Sequence, residues 1–432
     1  MKRKSPSARS TAAARRVPMI DLARAHAPLQ AELTAAFARV VASGRFILGE
    51  EVEAFEREVA RAIGVEHAVG MSSGTDALLA ALMALDLEPG DEVLCPTFTF
   101  FSTAGCVWRA GLRPVFADVS PRTFNSGRAE FEARIGPRTR AIVVVHLFGR
   151  LVEMDPILDL ARSRGVVVLE DAAQAIGATS AGRQAGTLGE MGCFSFFPTK
   201  NLGGFGDGGL ATTASAERAE RLRQLRNLGQ TARYVHGTVS GNFRLDALQA
   251  ALLRVKLPYV AAMNERRRQA AARYEELFVA AGLAVGTESA RRGARDGAAS
   301  GGVAMEDTGG GGARPRADEP PIVLPEPAGA AHVFHQYVIR VIGAGRRDAL
   351  REHLAGAGHE TQIYYPVPLH LQPCFRDLGY RPGDLPVAER LAGEVLALPM
   401  HPDLDAEEQA MVVDRIAAFV AGGAAALAAP RP

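Results

Sequence analysis

Cysteine is scarce and scattered: four residues, Cys95, Cys106, Cys193 and Cys374, with no CxxC pair among them. That spacing excludes a zinc ribbon and supplies no disulfide framework, so it suits a reducing cytoplasm. Long apolar runs are missing too. A membrane span needs about 20 such residues, and the C-terminal "FVAGGAAALAAP" is too short and too alanine-rich. An excess of one charge is also lacking. Forty-nine Lys and Arg face 48 Asp and Glu, a formal net charge of +1. Nothing at whole-chain level therefore points to nucleic acid or to an anionic membrane. The basic start "MKRKSPSARSTAAARR" has no apolar h-region. It is expected to be a disordered tail, residues 1–17, and not a secretory signal.

What is present is an ordinary globular balance, 47% hydrophobic and 22% charged, over 432 residues. That length and composition allow a large domain with a smaller one attached. From Pro18 helical and strand patterns alternate. "EEVEAFEREVARAIG" is amphipathic and stops at Gly64. "RAIVVVHLFG" and "GVVVLEDAA" are apolar, β-branched runs of the kind buried on both faces of a parallel sheet. The expected fold is α/β, with a mostly parallel central sheet over residues 18–281. A Gly- and charge-rich stretch, 282–330, is too poor in apolar residues to order itself and reads as an insertion or linker. A small α+β domain is expected over 331–432.

The stretch "SFFPTKNLGGFGDGG", Ser195 to Gly209, contains a GxGxxG at Gly204, Gly206 and Gly209. A dinucleotide loop needs a strand before those glycines and a helix after them. Here "PTKNL" precedes and the strand-like "LATTAS" follows, so the context fails on both sides. Walker A order is absent as well. What remains is Lys200 in an apolar, glycine-rich setting, which alone would be a surface lysine beside a turn. Three further segments alter that weighing. "VVVLEDAAQAIGA" puts Asp171 at the carboxyl end of a buried strand, where ligands bind in α/β sheets; a helix N-cap is the competing explanation. "GMSSGTDALLAAL" puts Gly74 and Thr75 at a helix start, a ready anion site or merely a good cap. "PTFTFFST" sets aromatics just past another strand. A lysine, a carboxylate, an anion cradle and a flat apolar face are what pyridoxal phosphate needs: a Schiff-base amine, a partner for its pyridine nitrogen, a phosphate anchor and a ring cover.

On these residues the chain resembles the DegT/StrS family of pyridoxal-phosphate-dependent nucleotide-sugar aminotransferases, of aspartate-aminotransferase-like fold (fold type I). The likeness runs from "RVPMIDLARAHAPLQ" to "LPMHPDL". It rests on "GRFILGEEVEAFE", "SSGTDALLAAL", "VHLFG", "EDAAQAIGA", "CFSFFPTKNLGGFGDGG", "GNFRLDALQAALL" and "YYPVPLH" in that order. The resemblance implies that Lys200 forms the Schiff base and Asp171 pairs with the pyridine nitrogen. It implies that Gln174 meets the ring hydroxyl, that Ser195, Gly74 and Thr75 hold the phosphate, and that Phe100 stacks on the ring. Asn242 would reach the phosphate of a neighbouring subunit's cofactor, which makes the expected assembly a homodimer with shared sites. Tyr365 and His370 would lie near the sugar nucleotide. No metal is implied.

The expected reaction moves an amino group from an amino acid, glutamate by resemblance, to a keto-sugar nucleotide, with a lean toward a 3-keto sugar. A sugar dehydratase of the same fold would carry a histidine where Lys200 stands. A sensor that binds the cofactor without turnover is the alternative, and the complete cofactor set speaks against it. Two departures from the family are Arg150 with Leu151, where relatives commonly carry a glutamine and a small residue, and the length of the insertion before His332.

Overall fold

The computed structural model of the chain describes residues 15–284 and 320–428, with side chains to 422. Its centre is a seven-stranded sheet in the order β1-β9-β8-β5-β4-β2-β3. The strands are β1 (His67–Met71), β2 (Glu92–Pro96), β3 (Arg113–Ala117), β4 (Thr139–Val145), β5 (Val167–Asp171), β8 (Met191–Ser195) and β9 (Gly209–Thr213). A two-residue hairpin, β6 (Thr179–Ser180) and β7 (Arg183–Gln184), lies between β5 and β8. From β8 through β3 every pairing is parallel, and β9 runs antiparallel between β8 and β1.

The apolar runs explain the layering. Ile142, Val143 and Val144 are fully buried, and alternate residues of β4 join cores on opposite faces of the sheet. On one face the helix Gly74–Met83 buries Ala77 to Leu82, and on the other the helix Met154–Arg164 buries Ile157, Leu160 and Ala161. Parallel neighbours require crossovers on both faces, so the carboxyl ends of β2, β4, β5 and β8 open onto the same rim.

The second sheet holds β12 (Ile322–Val323), β13 (Tyr337–Val341) and β14 (Val395–Leu398), all antiparallel. Between the sheets runs the helix Val260–Ala280, entered through a 3-10 turn at Pro258, which cannot donate a helical hydrogen bond. A hairpin of β10 (Gln230–Ala232) and β11 (Val235–His236) projects at the surface.

Three boundaries differ from the sequence expectation. Order reaches back to Arg15: Val17 is fully buried and exchanges backbone hydrogen bonds with Gly358 and Glu360. Residues 1–14 of the expected tail lie outside the described residues, as do 285–319 of the expected linker. Within 320–330, however, β12 adds an edge to the small sheet, and Ile322 and Leu324 are buried. The division expected at residue 281 also falls across a shared core. Tyr274 and Phe278 of the long helix pack with Tyr337, Leu350 and Val412. A backbone edge and a few apolar residues suffice to order segments whose average composition reads as linker.

Candidate active site

At the carboxyl rim of the sheet a cavity of about 440 Å³ opens between the two cores. Asp171, the last residue of β5, reaches it because the strand ends there and the chain turns away. Its Oδ2 accepts from the Thr103 hydroxyl at 2.9 Å and its Oδ1 from the Ala173 N–H at 3.3 Å. Residues 172–178 form turns and no helix, so Asp171 caps nothing, and Gln174 reaches the cavity from a turn. Burial pushes the Asp171 carboxyl up from its usual range, against the downward pull of Thr103, Ala173 and the Lys200 charge.

Lys200 stands in the loop between β8 and β9 and lines the same cavity. Burial lowers its pKa from 10.5 to about 8, and Asp171 opposes that fall. At neutral pH such an amine is a far better nucleophile and proton acceptor than a surface lysine.

The anion cradle is built by close approach. Ser73 caps the helix Gly74–Met83, its Oγ accepting from the Asp76 N–H at 3.0 Å. The N–H groups of Gly74 and Thr75 find no acceptor among the described residues. A Cβ on Gly74 would lie 2.7 Å from the Ser195 Cβ, so only glycine lets the helix start meet the end of β8. Thr75 and Ser102 share a hydroxyl hydrogen bond of 2.7 Å. Free N–H groups, hydroxyls and a helix N-terminus together favour a phosphate. The last glycine of the GxGxxG serves this approach, a Cβ on Gly209 falling 2.2 Å from the Ser73 carbonyl oxygen, while Gly204 and Gly206 pack against Gln249.

Phe100 is 56% exposed, an unusual state for a phenylalanine, and its ring lies 6.3 Å from that of Tyr365 across the cavity mouth. Gln174 is fixed by the Phe148 N–H at 2.5 Å and donates to the Tyr365 hydroxyl at 3.4 Å. The cavity thus brings together Lys200, Asp171, Gly74, Thr75, Phe100, Gln174, Ser195 and Tyr365.

One residue expected near the substrate does not line this cavity. His370 is buried and both its ring nitrogens are engaged, Nδ1 with Thr97 at 2.7 Å and Nε2 with Glu389 at 3.1 Å. It has no hydrogen-bonding capacity left for a substrate and instead ties its turn to the end of β2. Asn242, expected to serve a neighbouring subunit's site, is exposed outside this cavity and bridged to Asn227 near the β10–β11 hairpin.

Sequence reasoning missed Thr103 and the support beneath Lys200. Asn201 donates to Asn264 at 2.7 Å, and its amide oxygen accepts from His335 Nδ1 at 3.1 Å. The imidazole of His335 turns toward the cavity and is held neutral by burial, by Lys200 and by Arg267. Deeper still, Glu170 accepts from His146 at 2.9 Å and from the N–H groups of Gly186, Leu188 and Gly189 at 2.6–2.8 Å. These contacts span 63 or more residues for Thr103, Asn264 and His335, so no local pattern announces them. The only signal was a hydroxyl-rich "STAG" after the aromatics.

The class follows from the sheet as much as from the side chains. A mostly parallel seven-stranded sheet with one antiparallel strand, carrying a depressed-pKa lysine opposite a buried aspartate, is the frame of the fold-type-I pyridoxal-phosphate-dependent transferases. The chain belongs to the DegT/DnrJ/EryC1/StrS aminotransferase family, whose model matches residues 28–299 and 316–417. It is 42% identical to a UDP-N-acetyl-3-dehydro-alpha-D-glucosamine 3-aminotransferase of Acidithiobacillus ferrooxidans, over 92% of this chain and 96% of that one. It is also 42% identical to a "pleiotropic regulatory protein" of Geobacillus stearothermophilus, over 93% and 98% respectively. Among solved structures it superposes on S. venezuelae DesV in complex with a ketimine intermediate, with a TM-score of 0.81 and 39% identity over 94% of this chain and 98% of that one.

Proposed function

We propose that the chain transfers an amino group from an amino acid, glutamate in the first place, to the keto carbon of a nucleotide-linked 3-keto sugar. It works with pyridoxal 5'-phosphate, as a cytoplasmic homodimer whose sites are shared. The observation that carries this reading is Lys200, with its pKa lowered to about 8, beside Asp171 in a cavity that also holds an anion cradle. The 3-keto position is supported by the name of the Acidithiobacillus relative, a 3-aminotransferase of a 3-dehydro sugar.

The residues fit the cofactor. Gly74 leaves the room a phosphate needs, and Thr75 and Ser195 offer hydroxyls beside it. Pyridoxal phosphate, when bound, supplies the electron sink that lets the donor's α-proton leave and stores the amino group between two substrates. Asp171 would favour a proton on the ring nitrogen, because a carboxylate held in a cavity and hydrogen-bonded only by Thr103 and Ala173 gains from a facing positive charge. Lys200 would hold the cofactor through its amine and, with its lowered pKa, would serve as the base and acid that moves the proton at the donor's α-carbon. Phe100 and Tyr365 cover the flat face and exclude water.

The homodimer is supported by apolar side chains left open to solvent. Phe37 is 50% exposed, Phe205 45% and Tyr234 78%, and the first two line a groove of about 650 Å³. Among the described residues no helix is long and apolar enough to cross a membrane.

Purified protein supplied with the cofactor should turn yellow, and borohydride should fix the cofactor onto the peptide containing Lys200. Glutamate should then be converted to 2-oxoglutarate only when a keto-sugar nucleotide is present. No colour would remove the cofactor reading. Colour without sugar-dependent turnover would favour the regulatory alternative that the name of the Geobacillus relative suggests.

A further inference from the structure

Lys256 ends the helix Ala247–Lys256 and is only 6% exposed, yet it pairs with no carboxylate among the described residues. Burying an ammonium group unpaired is expensive. A methionine would fill the same space among Leu252, Leu253 and their neighbours at less cost. The donors of Lys256 must therefore account for its presence. Its Nζ donates to the carbonyl oxygen of Gly203 and lies 3.2 Å from Nε2 of His26. The same Nζ sits 5.6 Å from the centroid of the Phe205 ring, which packs on the His26 ring at 4.7 Å.

Gly203 and Phe205 belong to the loop that carries Lys200. That loop doubles back on itself: the Lys200 N–H donates to the Phe197 carbonyl at 2.8 Å and the Gly204 N–H to the Phe196 carbonyl at 2.7 Å. A Cβ on Gly203 would fall 2.1 Å from the Pro198 carbonyl oxygen, so the two limbs of the loop touch. From outside, the loop is strapped by one helix face. Gln249 accepts from the Phe205 N–H at 2.8 Å, and Lys256, two turns on, holds Gly203. The burial that lowers the Lys256 pKa to about 8 still leaves it mostly charged at pH 7, and it keeps His26 neutral and able to accept.

We propose that Lys256, braced by His26, is a positioning residue that clamps the Gly203 carbonyl and thereby fixes where the loop presents Lys200 to the cavity. This rests on Lys200 being the reacting lysine. The clamp acts through the backbone and touches neither substrate nor cofactor.

Hydrogen exchange in the cofactor-free chain tests the clamp without reference to activity. In Lys256→Met, the amides of Gly204 and Phe205 should exchange about tenfold faster, while those of β8 stay at the wild-type rate. In the loaded enzyme kcat should fall about tenfold or more with the donor KM little changed, since a loop displaced by a fraction of an ångström costs orientation more than binding. Lys256→Arg, which keeps charge and donors, should recover part of both effects. Unchanged exchange in the loop, a uniform rise across the chain, or local loosening with undiminished kcat would each overturn the proposal. Should Lys256→Met fail to fold, His26→Leu removes the brace from a half-exposed helix and should give the same local signature more weakly; its absence there would equally overturn the proposal. Full turnover by Lys200→Ala would instead strike the underlying reading, and the proposal with it.

Discussion

Replacing Asp171 with asparagine should separate two roles that are usually lost together. In the cofactor-free chain burial lowers the Lys200 pKa from 10.5 to about 8, while the Asp171 charge holds it up. At pH 7 an amine of pKa about 8 is unprotonated in about one molecule in ten, against about three in ten thousand for an ordinary lysine. Asparagine keeps the shape and can still accept from Thr103, but it removes the opposing charge. The Lys200 pKa should therefore fall further, and the amine should label more readily with acetic anhydride at pH 7. Turnover should move the other way. Without a carboxylate facing it, the ring nitrogen loses its proton and the barrier rises by about 3–4 kcal/mol, roughly 10²–10³ in kcat. Competitive labelling across pH, read by mass spectrometry on the Lys200 peptide, gives the first quantity, and steady-state transamination gives the second. A Lys200 pKa that rose in the variant, or a kcat within a few-fold of wild type, would refute the reasoning.

Four further outcomes follow from the same contacts. Lys200→Met should raise the stability of the cofactor-free chain at pH 7 by about 1–2 kcal/mol, allowing for water in the open cavity. The unfolded chain binds the extra proton between about pH 8 and 10.5, so wild-type stability should climb with pH across that window and the variant's should not; paired thermal melts check this. Gly74→Ala forces Ser195 and the helix start apart, costing about 1–3 kcal/mol and most of the cofactor affinity, measurable by spectral titration. Glu170→Gln sets an NH₂ against the N–H donors that the carboxylate now accepts, and should destabilise by about 3 kcal/mol in denaturant. Burial works to raise the Glu170 pKa, but His146 and the backbone donors outweigh it and hold it below 4.5, so this contribution is present above that pH and lost on acidification. His370→Leu should lower the melting temperature and leave the sugar-nucleotide KM unchanged, since its nitrogens serve Thr97 and Glu389.

What was legible in the sequence was what local chemistry dictates. Asp171, Gly74 and Ser195 each sit at a strand end or helix start, and a β-branched run or a cap residue marks such places in the chain itself, while Lys200, in the loop after β8, stood out by its apolar, glycine-rich setting. The sheet class was readable for the same reason, since strands buried on both faces lose their alternation. The orientation of His370 was not legible, because a motif records that a residue recurs beside others and not which way its ring points. In the fold both nitrogens turn away from the cavity to Thr97 and Glu389, one of them 273 residues distant. The linker was overdrawn because composition averages over a window, whereas a strand edge needs only the few residues at Ile322–Val323.

Lys256 marks a deeper limit. Its stretch "LLRVKLPYV" belongs to a long amphipathic pattern, in which a lysine needs no explanation. Only the fold shows that this lysine faces inward, toward the Gly203 carbonyl in the loop that carries Lys200. The two lysines share a pKa lowered to about 8 by desolvation, Lys200 part-buried at the cavity and Lys256 enclosed, and divide the work. Lys200 opens onto the cavity and can exchange its proton with a substrate, whereas Lys256 is enclosed and can use its proton only to hold the chain. Burial makes an amine reactive where a cavity meets it and makes it a fastener where none does. Access, which no sequence pattern encodes, therefore decides which of the two a lysine becomes.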